Sequence, residues 1–395
     1  MGWKAISIMD QRKEFVYLAS APGAIMFQLC ERFGISRTTG YKWLSRYSQE
    51  GGCGLSDRSR RPKNSPQQTP AKVETLLVEL RQKHPAWGGR KLRKRLSKLQ
   101  EVAPDEIPSA STITEILRRH GLLDPAESRK HRAFKRFERP AANDLWQMDF
   151  KGHFAVTRGG RCHPLTILDD HSRFNLALRA CCNEQSATVQ TELTNVFRRY
   201  GLPHEMLMDN GPPWGDSGGS TYTALTVWML RLGIKVTHGH PHHPQTQGKE
   251  ERFHRTLKAE LLCRMSAVDV LSCQPRFDQF RDEYNCERPH ESLGLETPSS
   301  RYQVSPCTFP EVLPAIEYGP DLAVRKVGTK GWLSYNGRAF NVGQAFERMH
   351  VGLRPVTDGS DRCIEVRFCQ HRIGYLELDQ TEHNRMIKHR SETLA

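Results

Sequence analysis

No stretch of this 395-residue chain approaches the ~18 consecutive apolar residues of a membrane span. No basic, apolar leader opens it. The expectation is a soluble, cytoplasmic protein with no membrane partner. Cysteine pairs are missing too. The eleven cysteines are scattered, with no CxxC pair. That excludes a disulfide frame or a Cys-based zinc site and fits reduced thiols.

Acid is scarce in only one region. The net charge is +14. Residues 1–141 hold 28 Lys and Arg against 14 Asp and Glu, whereas residues 142–395 hold 30 of each. The whole excess sits in the first third. A basic arm on a neutral body suits a polyanion, nucleic acid first. The blander alternative is a merely solubilising segment, and charge alone does not separate the two. The length suits roughly two to four domains.

Residues 1–48 read as three short helices. IMFQLCERF is followed by GIS and then RTTGYKWLSRY. Gly34 suits the tight turn and Ser36 the next helix's N-cap, while Leu29, Phe33, Ile35 and Trp43 supply a core. This is a helix-turn-helix layout, whose second helix enters the major groove. Arg37, Thr38, Thr39, Lys42 and Arg46 would be exposed on that helix as DNA contacts. Residues 49–71 are Gly, Ser, Pro and Gln rich and read as a linker. Arg58, Arg60, Arg61 and Lys63 there could follow phosphates, or could only solvate a tether.

Residues 72–124 read as a second three-helix unit. Its middle helix carries Arg90, Lys91, Arg93, Lys94, Arg95 and Lys98 around a leucine stripe. Such density suggests phosphate contact rather than an ordinary solvated face. Ser109 or Ser111 would cap STITEILRRHG, which Gly121 would end. Residues 125–141 form a basic connector.

From 142 the pattern changes. WQMDFKG alternates as a strand, and two further strand candidates follow. Helices then alternate with the short strands EMLMDNG and IKVTHG, giving a mixed α/β sheet over 142–304. Five short strands between 319 and 380, with a hairpin turn at Asn336-Gly337, suggest a small β-barrel. The polar tail, 381–395, reads as disordered.

The acids of the middle region need sorting. Asp149 lies on the face of its strand opposite Met148 and Phe150. Asp209 falls where MLMDNG leaves its strand, and functional groups collect at such carboxyl ends. Helix geometry decides between the adjacent Glu250 and Glu251. At about 100° per residue, Arg255 and Lys258 fall within about 40° of Glu251. Glu250 falls in the apolar stripe of Phe253, Leu257 and Leu261. Glu251 therefore shares the polar, basic face, where Arg255 and Lys258 would meet the DNA backbone. Glu250 is expected to be partly exposed near the helix N-terminus. Were Asp149, Asp209 and Glu251 to converge, two divalent ions about 4 Å apart would offset their repulsion and clamp a phosphodiester. Mg²⁺ suits such hard oxygen ligands.

The stretches WQMDFKG, LDDHSRF, LMDNGPP, HPQTQGKEERFHRTLKAEL and YNCERPHESLGLETPSSRY resemble bacterial insertion-sequence transposases, which share the DDE catalytic core of retroviral integrases. With the helix-turn-helix start, the resemblance covers nearly the whole chain. It implies a multidomain fold: helical DNA-binding units, an RNase H-like α/β core and the C-terminal barrel. It implies Asp149, Asp209 and Glu251 as catalytic metal ligands and Mg²⁺ as cofactor, two ions per site, with Mn²⁺ able to substitute. It also implies double-stranded DNA as partner, both terminal inverted repeats and target. A homodimer or higher oligomer and a place on the nucleoid follow. The chain departs from retroviral integrases in lacking a His-His-Cys-Cys module ahead of the core. Asp209 and Glu251 also stand 42 residues apart, longer than the superfamily's usual spacing. The extra residues fall in PPWGDSGGSTY, expected to be a flexible loop.

Other polar residues have plainer uses. Asp169 and Asp170 read as strand-end supports rather than ligands. His238, His240, His242 and His243 lack the partners of a zinc site. Asn285, Arg288 and His290 are expected to order the region behind the site. Two further functions compete: a non-catalytic DNA-binding regulator on the same scaffold, and a nuclease that hydrolyses DNA without strand transfer.

Overall fold

Ser7 caps the first helix, α1 (Ile8–Ala19); its hydroxyl accepts from Asp10 N at 3.1 Å. The computed structural model describes residues 7–59, 68–123, 138–215, 222–239, 248–356, 363–378 and 384–387. It divides into two units, Met1–Gln68 and Thr69–Ala395. No described helix is long and apolar enough to cross a membrane.

In the first unit, α2 (Met26–Arg32) and α3 (Arg37–Glu50) follow α1. Gly34 makes the turn at φ +61°. Ser36 caps α3, accepting from Thr39 N at 3.2 Å, as its position predicts. Gly40 lies where a Cβ would stand 2.8 Å from both Cys30 Sγ and Phe15 Cζ. A mid-helix glycine thus lets the helices close on each other. The linker begins later than the composition suggests. A 3₁₀ turn, Gly51–Leu55, brings Leu55 to full burial among Phe15, Val16, Cys30 and Trp43. Arg12 donates to Leu55 O and pairs with Asp57, each at 2.8 Å. One apolar side chain outweighs a Gly-rich sequence. Arg60, Arg61 and Lys63 lie outside the described residues.

The second unit starts with α4 (Ala71–Lys83), α5 (Gly89–Lys98) and α6 (Ala110–Arg119). Ser109 caps α6, and Gly121 ends it at φ +68°. Leu77, Trp87, Leu92, Leu96, Ile113 and Leu117 close a small core.

A mixed sheet follows, built from β1 (Leu145–Phe150), β2 (Phe154–Ala155), β3 (Arg161–Asp169), β4 (Asn175–Cys181), β5 (Glu205–Met208) and β6 (Lys235–His238). Its order is β4-β3-β1-β5-β6, with β2 pairing the start of β3. β1 to β4 pair antiparallel, and β5 and β6 run parallel to β1. Helices cover both faces. α7 (Ser186–Tyr200) and α8 (Ala224–Arg231) pack with Trp146, Met148 and Ile167. α9 (Gly248–Glu260) and α10 (Val270–Asp282) cover the other face through Phe253, Leu257 and Phe277. The alternation of β1 therefore puts Gln147 and Asp149 under α9.

The C-terminal strands are β7 (Ala323–Lys326), β8 (Trp332–Tyr335), β9 (Arg338–Asn341), β10 (His350–Pro355), β11 (Cys363–Phe368) and β12 (His371–Glu377). Asn336 (φ +49°) and Gly337 (φ +75°) form the expected hairpin turn. The expected barrel is not closed. A sheet of order β12-β11-β10-β7 stands beside the separate hairpin β8-β9, and no ladder joins β8 to β7 among the described residues. Part of the tail is ordered instead. Asn341 N donates to Asn384 O at 2.7 Å, and Ile387 N to Tyr375 O at 2.9 Å. Residues 384–387 so bridge β9 and β12. Backbone hydrogen bonding overrides their polar composition. Val227 and Leu230 of α8 join the apolar cluster of these strands, which fixes them to the mixed sheet.

Candidate active site

Gln147 pairs with Leu207 across the parallel strands β1 and β5. Two steps further along each strand stand Asp149 and Asp209. A period of two keeps both on one side, with strands about 4.8 Å apart. The structure therefore brings these two acids together at the carboxyl ends of adjacent strands. Burial first, then the charge of Asp209, pushes Asp149 up to about 7. Burial also raises Asp209, and Glu184 adds to the effect. The Asn210-Gly211 turn behaves as its sequence suggests. Gly211 N donates to Asp209 Oδ1 at 3.2 Å, and Asn210 Nδ2 to Gly239 O at 2.7 Å.

The third sequence-predicted acid is placed differently. Among the described residues no cluster of three His, Cys, Asp or Glu is arranged to hold a metal. Glu251 is exposed on α9, beside exposed Arg255 and Lys258 on the face that helix geometry gives them. It does not join the two aspartates. Glu250, expected to be partly exposed, is 1% exposed. Its Oε2 lies 3.0 Å from Thr166 Oγ1, which lies 2.8 Å from His254 Nε2 and donates to Asp149 O at 2.9 Å. Thr166 is Asp149's cross-strand partner.

A hydroxyl has one proton to donate and two lone pairs to accept with. The single Thr166 proton serves Asp149 O and Glu250 Oε2, and the contact with His254 Nε2 runs either way with the imidazole tautomer. Burial, then the charge of Asp149, raises Glu250 well above the ordinary carboxyl range. Burial pulls His254 down to about 3. The buried i, i+4 pair Glu250 and His254 was visible in the sequence as E-x-x-x-H on the apolar stripe. Their partner Thr166 was not.

A second anchor sets the rotation of α9. Lys249, largely buried, pairs with Asp170, which also accepts from Gln147 Nε2 at 2.8 Å and Arg139 N at 2.8 Å. Asp169 accepts from Asn143 N at 2.8 Å and Ser172 N at 2.7 Å. Both acids are supports, as their strand-end position suggests. His238 donates from Nδ1 to Asp209 O at 2.7 Å. His240, His242 and His243 lie outside the described residues.

Behind the site, buried Asn285 accepts from Asn175 N at 2.8 Å and donates to Asn175 O at 2.9 Å. Arg288 pairs with Glu260 at 3.0 Å. Asn285→Ala should strand both backbone groups of Asn175 and cost about 1–3 kcal/mol. Urea unfolding monitored by tryptophan fluorescence checks this. A stability unchanged within about 0.5 kcal/mol would show water replacing the amide.

The DNA candidates of the first unit divide. Arg37, Thr38 and Lys42 are exposed on α3, whereas Arg46 and Thr39 are half-buried. The Thr39 hydroxyl sits 2.9 Å from Ser36 Oγ in the cap. Arg58 pairs with Glu50. In the second unit, the density of α5 has a use that the sequence did not reveal. Lys94 and Lys98 reach Glu296 at 2.6 and 3.3 Å, Arg95 reaches Glu287 at 2.7 Å, and Arg90 reaches Glu291 at 3.5 Å. Lys91 is buried; Arg93 is exposed.

Known families match along the chain in the same order. Homeodomain-like domains match residues 9–56 and 39–117, integrase core domains match 139–244 and 232–298, and the IS481 family transposase C-terminal domain matches 322–384. The uncharacterized protein of insertion element IS476 from Xanthomonas euvesicatoria is 28% identical, over 64% of this chain and 71% of its own length. That of IS407 from Burkholderia multivorans is 24% identical, over 40% of this chain and 55% of its own. The Gag-Pro-Pol polyprotein of squirrel monkey retrovirus is 35% identical over 30% of this chain, which spans 6% of that polyprotein. Among solved structures, a simian T-cell lymphotropic virus intasome chain matches 70% of this chain and 96% of its own, with 15% identity and a TM-score of 0.36. The chain carries homeodomain-like units ahead of an integrase core and an IS481 family transposase C-terminal domain behind it.

Proposed function

We propose that this protein is a DNA transposase that binds the terminal inverted repeats of an insertion sequence, cuts at their 3′ ends and joins them to target DNA. The observation that carries this is the pair Asp149 and Asp209, adjacent at the ends of parallel strands of an integrase core. Two half-buried carboxylates held above their ordinary range form a donor set suited to a cation. Hard oxygen donors suit Mg²⁺, with Mn²⁺ as a substitute. Asp149 and Asp209 would hold it, and Glu251 would complete the ligand set only on a shift of α9 that brings it to them. When bound, a pair of such ions supplies Lewis-acid polarisation of the phosphodiester and a more acidic water.

The chain's own residues do the rest. Thr166, Glu250 and His254 brace the strand end that carries Asp149. Arg255 and Lys258 hold the DNA backbone beside Glu251. Water cuts the phosphodiester at each element end, and the freed 3′ oxygen then bonds to a target phosphorus as the target's own 3′ oxygen leaves. Arg37, Thr38 and Lys42 on α3 read bases, while other basic residues grip phosphates. Joining two ends calls for a dimer or larger assembly.

The test is incubation with Mg²⁺ and DNA carrying candidate element ends, followed by separation of strand-transfer products. Cut but unjoined DNA would mark a nuclease. Binding without cutting would mark a regulator.

Metal uptake should depend on pH. Asp149 in the folded chain titrates near 7 against an ordinary 3.8. The metal-free folded state therefore holds an extra proton between about pH 4 and 7, and its stability falls as pH rises through that window. Mg²⁺ must displace the proton below about 7. The rise in Tm on adding Mg²⁺ should be larger at about pH 8 than at about pH 5.5. Equal increments at both, or the same pH dependence in Asp149→Asn, would remove Asp149 from the site.

A further inference from the structure

The helix α5 spends its positive charge inside the protein. Its contact surface is one acidic stretch of the core, Glu287 to Glu296. Lys94 Nζ and Lys98 Nζ share the Glu296 carboxylate, Arg95 holds Glu287, and Arg90 leans on Glu291. The two lysines hold Glu296 below the usual carboxylate range. Lys91 points its chain into the same joint and is 8% exposed. Burial, followed by the like charge of Arg288, pulls it down to about 7. Two features make the joint separable. The apolar cluster of α4, α5 and α6 is complete in itself, and no described apolar cluster spans that unit and the mixed sheet. The pairs that hold α5 are otherwise partly exposed, with Glu296 41% and Glu287 33% open. Such pairs contribute little individually and are screened by salt.

We propose that the acidic stretch Glu287–Glu296 is a docking surface for α5, one that occupies the helix in the absence of DNA and yields it to DNA phosphates. This deepens the transposase reading and rests on it. The chemistry of exchange is symmetrical. Glu287 and Glu296 present carboxylate oxygens to α5, and a DNA backbone presents phosphate oxygens to the same ammonium and guanidinium groups. The released acidic stretch then gathers counterions. Part of the counterion release expected from phosphate contact is thereby cancelled, so the wild type's salt slope is shallow for its charge.

The test uses full-length protein, wild type and E287Q/E296Q, with a short duplex DNA and fluorescence anisotropy. At low salt the double variant should bind at least about threefold more tightly, with a steeper slope of log K against log salt. K94A/K98A should cost more affinity in the E287Q/E296Q background than in wild type, because only there are the lysines free beforehand. Hydrogen exchange adds a second readout: duplex DNA should raise exchange across 283–297 while α5 stays protected. DNA binding of equal strength by both proteins, with no change across 283–297, overturns the docking exchange and leaves the DNA reading standing. Absence of duplex binding by either protein removes the DNA reading, and the exchange with it.

Discussion

Glu251→Gln is expected to abolish cutting and strand transfer, by about 100-fold or more, while leaving DNA binding and stability nearly unchanged. An amide in place of a ligating carboxylate removes charge stabilisation at the reacting phosphate, the kind of loss that costs about 10²–10³ in rate. Glu251 is solvent-exposed, so the change alters little packing. Glu250→Gln should have the opposite outcome for activity. Glu250 is buried against Thr166 and His254, and burial raises its carboxyl well above the ordinary range, so glutamine keeps its shape without a charge to bury. Most activity should survive. Glu250→Ala is the more damaging change there; it empties a buried site and leaves Thr166 short of a partner, costing about 1–3 kcal/mol. The comparison has force because the geometry does not favour one side only. The charge of Asp149 adds to burial in raising Glu250. An active Glu251→Gln beside a dead, folded Glu250→Gln would exchange their roles and mean that α9 rotates when metal binds.

The pair also shows what the sequence could and could not convey. Angular spacing on α9 correctly separated an exposed face, with Glu251, Arg255 and Lys258, from a buried stripe containing Glu250. It could not show how deeply Glu250 is buried, because that depends on Thr166, 84 residues away. Lys249 likewise looked like one more cation in a basic run. Its anchor, Asp170, lies in the turn after β3, 79 residues away. Local periodicity names faces; tertiary partners decide what each face touches. Asp149 and Asp209 were legible for a related reason. Strand alternation and the Asn-Gly turn fix both acids locally, and only the parallel pairing of β1 with β5 remained to be supplied.

Charge density did not reveal a partner inside the chain. Six cations in nine positions of α5 read as a phosphate grip, and the acids that answer them lie about 200 residues further on. The barrel was over-read from strand count alone, since closure needs a ladder between β8 and β7 that the described residues do not form.

The exposed cations of α3 carry the second large effect. Arg37→Ala combined with Lys42→Ala should weaken binding to element-end DNA by about 10²–10³-fold, while binding to random duplex falls far less. Each good base contact contributes roughly 1–3 kcal/mol of discrimination. Both side chains stand exposed on the first turns of the helix proposed to enter the groove. Lys42 Nζ lies 4.5 Å from the Trp43 ring centroid, so a semi-rigid aromatic platform restricts where its ammonium can go. The helix itself should survive the double change. Its cap is Ser36, and its buried contacts are Gly40 and Trp43, none of which is altered. Lys94→Ala is the informative contrast. Lys94 begins paired with Glu296, so its loss should cost little on either DNA in an otherwise wild-type protein. Anisotropy titrations on element-end and random duplexes at several salt concentrations separate these effects. An equal loss on both DNAs from the α3 double change would make Arg37 and Lys42 phosphate contacts, and base reading would then fall to the exposed face of α6, where Ser111, Thr112 and Arg118 stand.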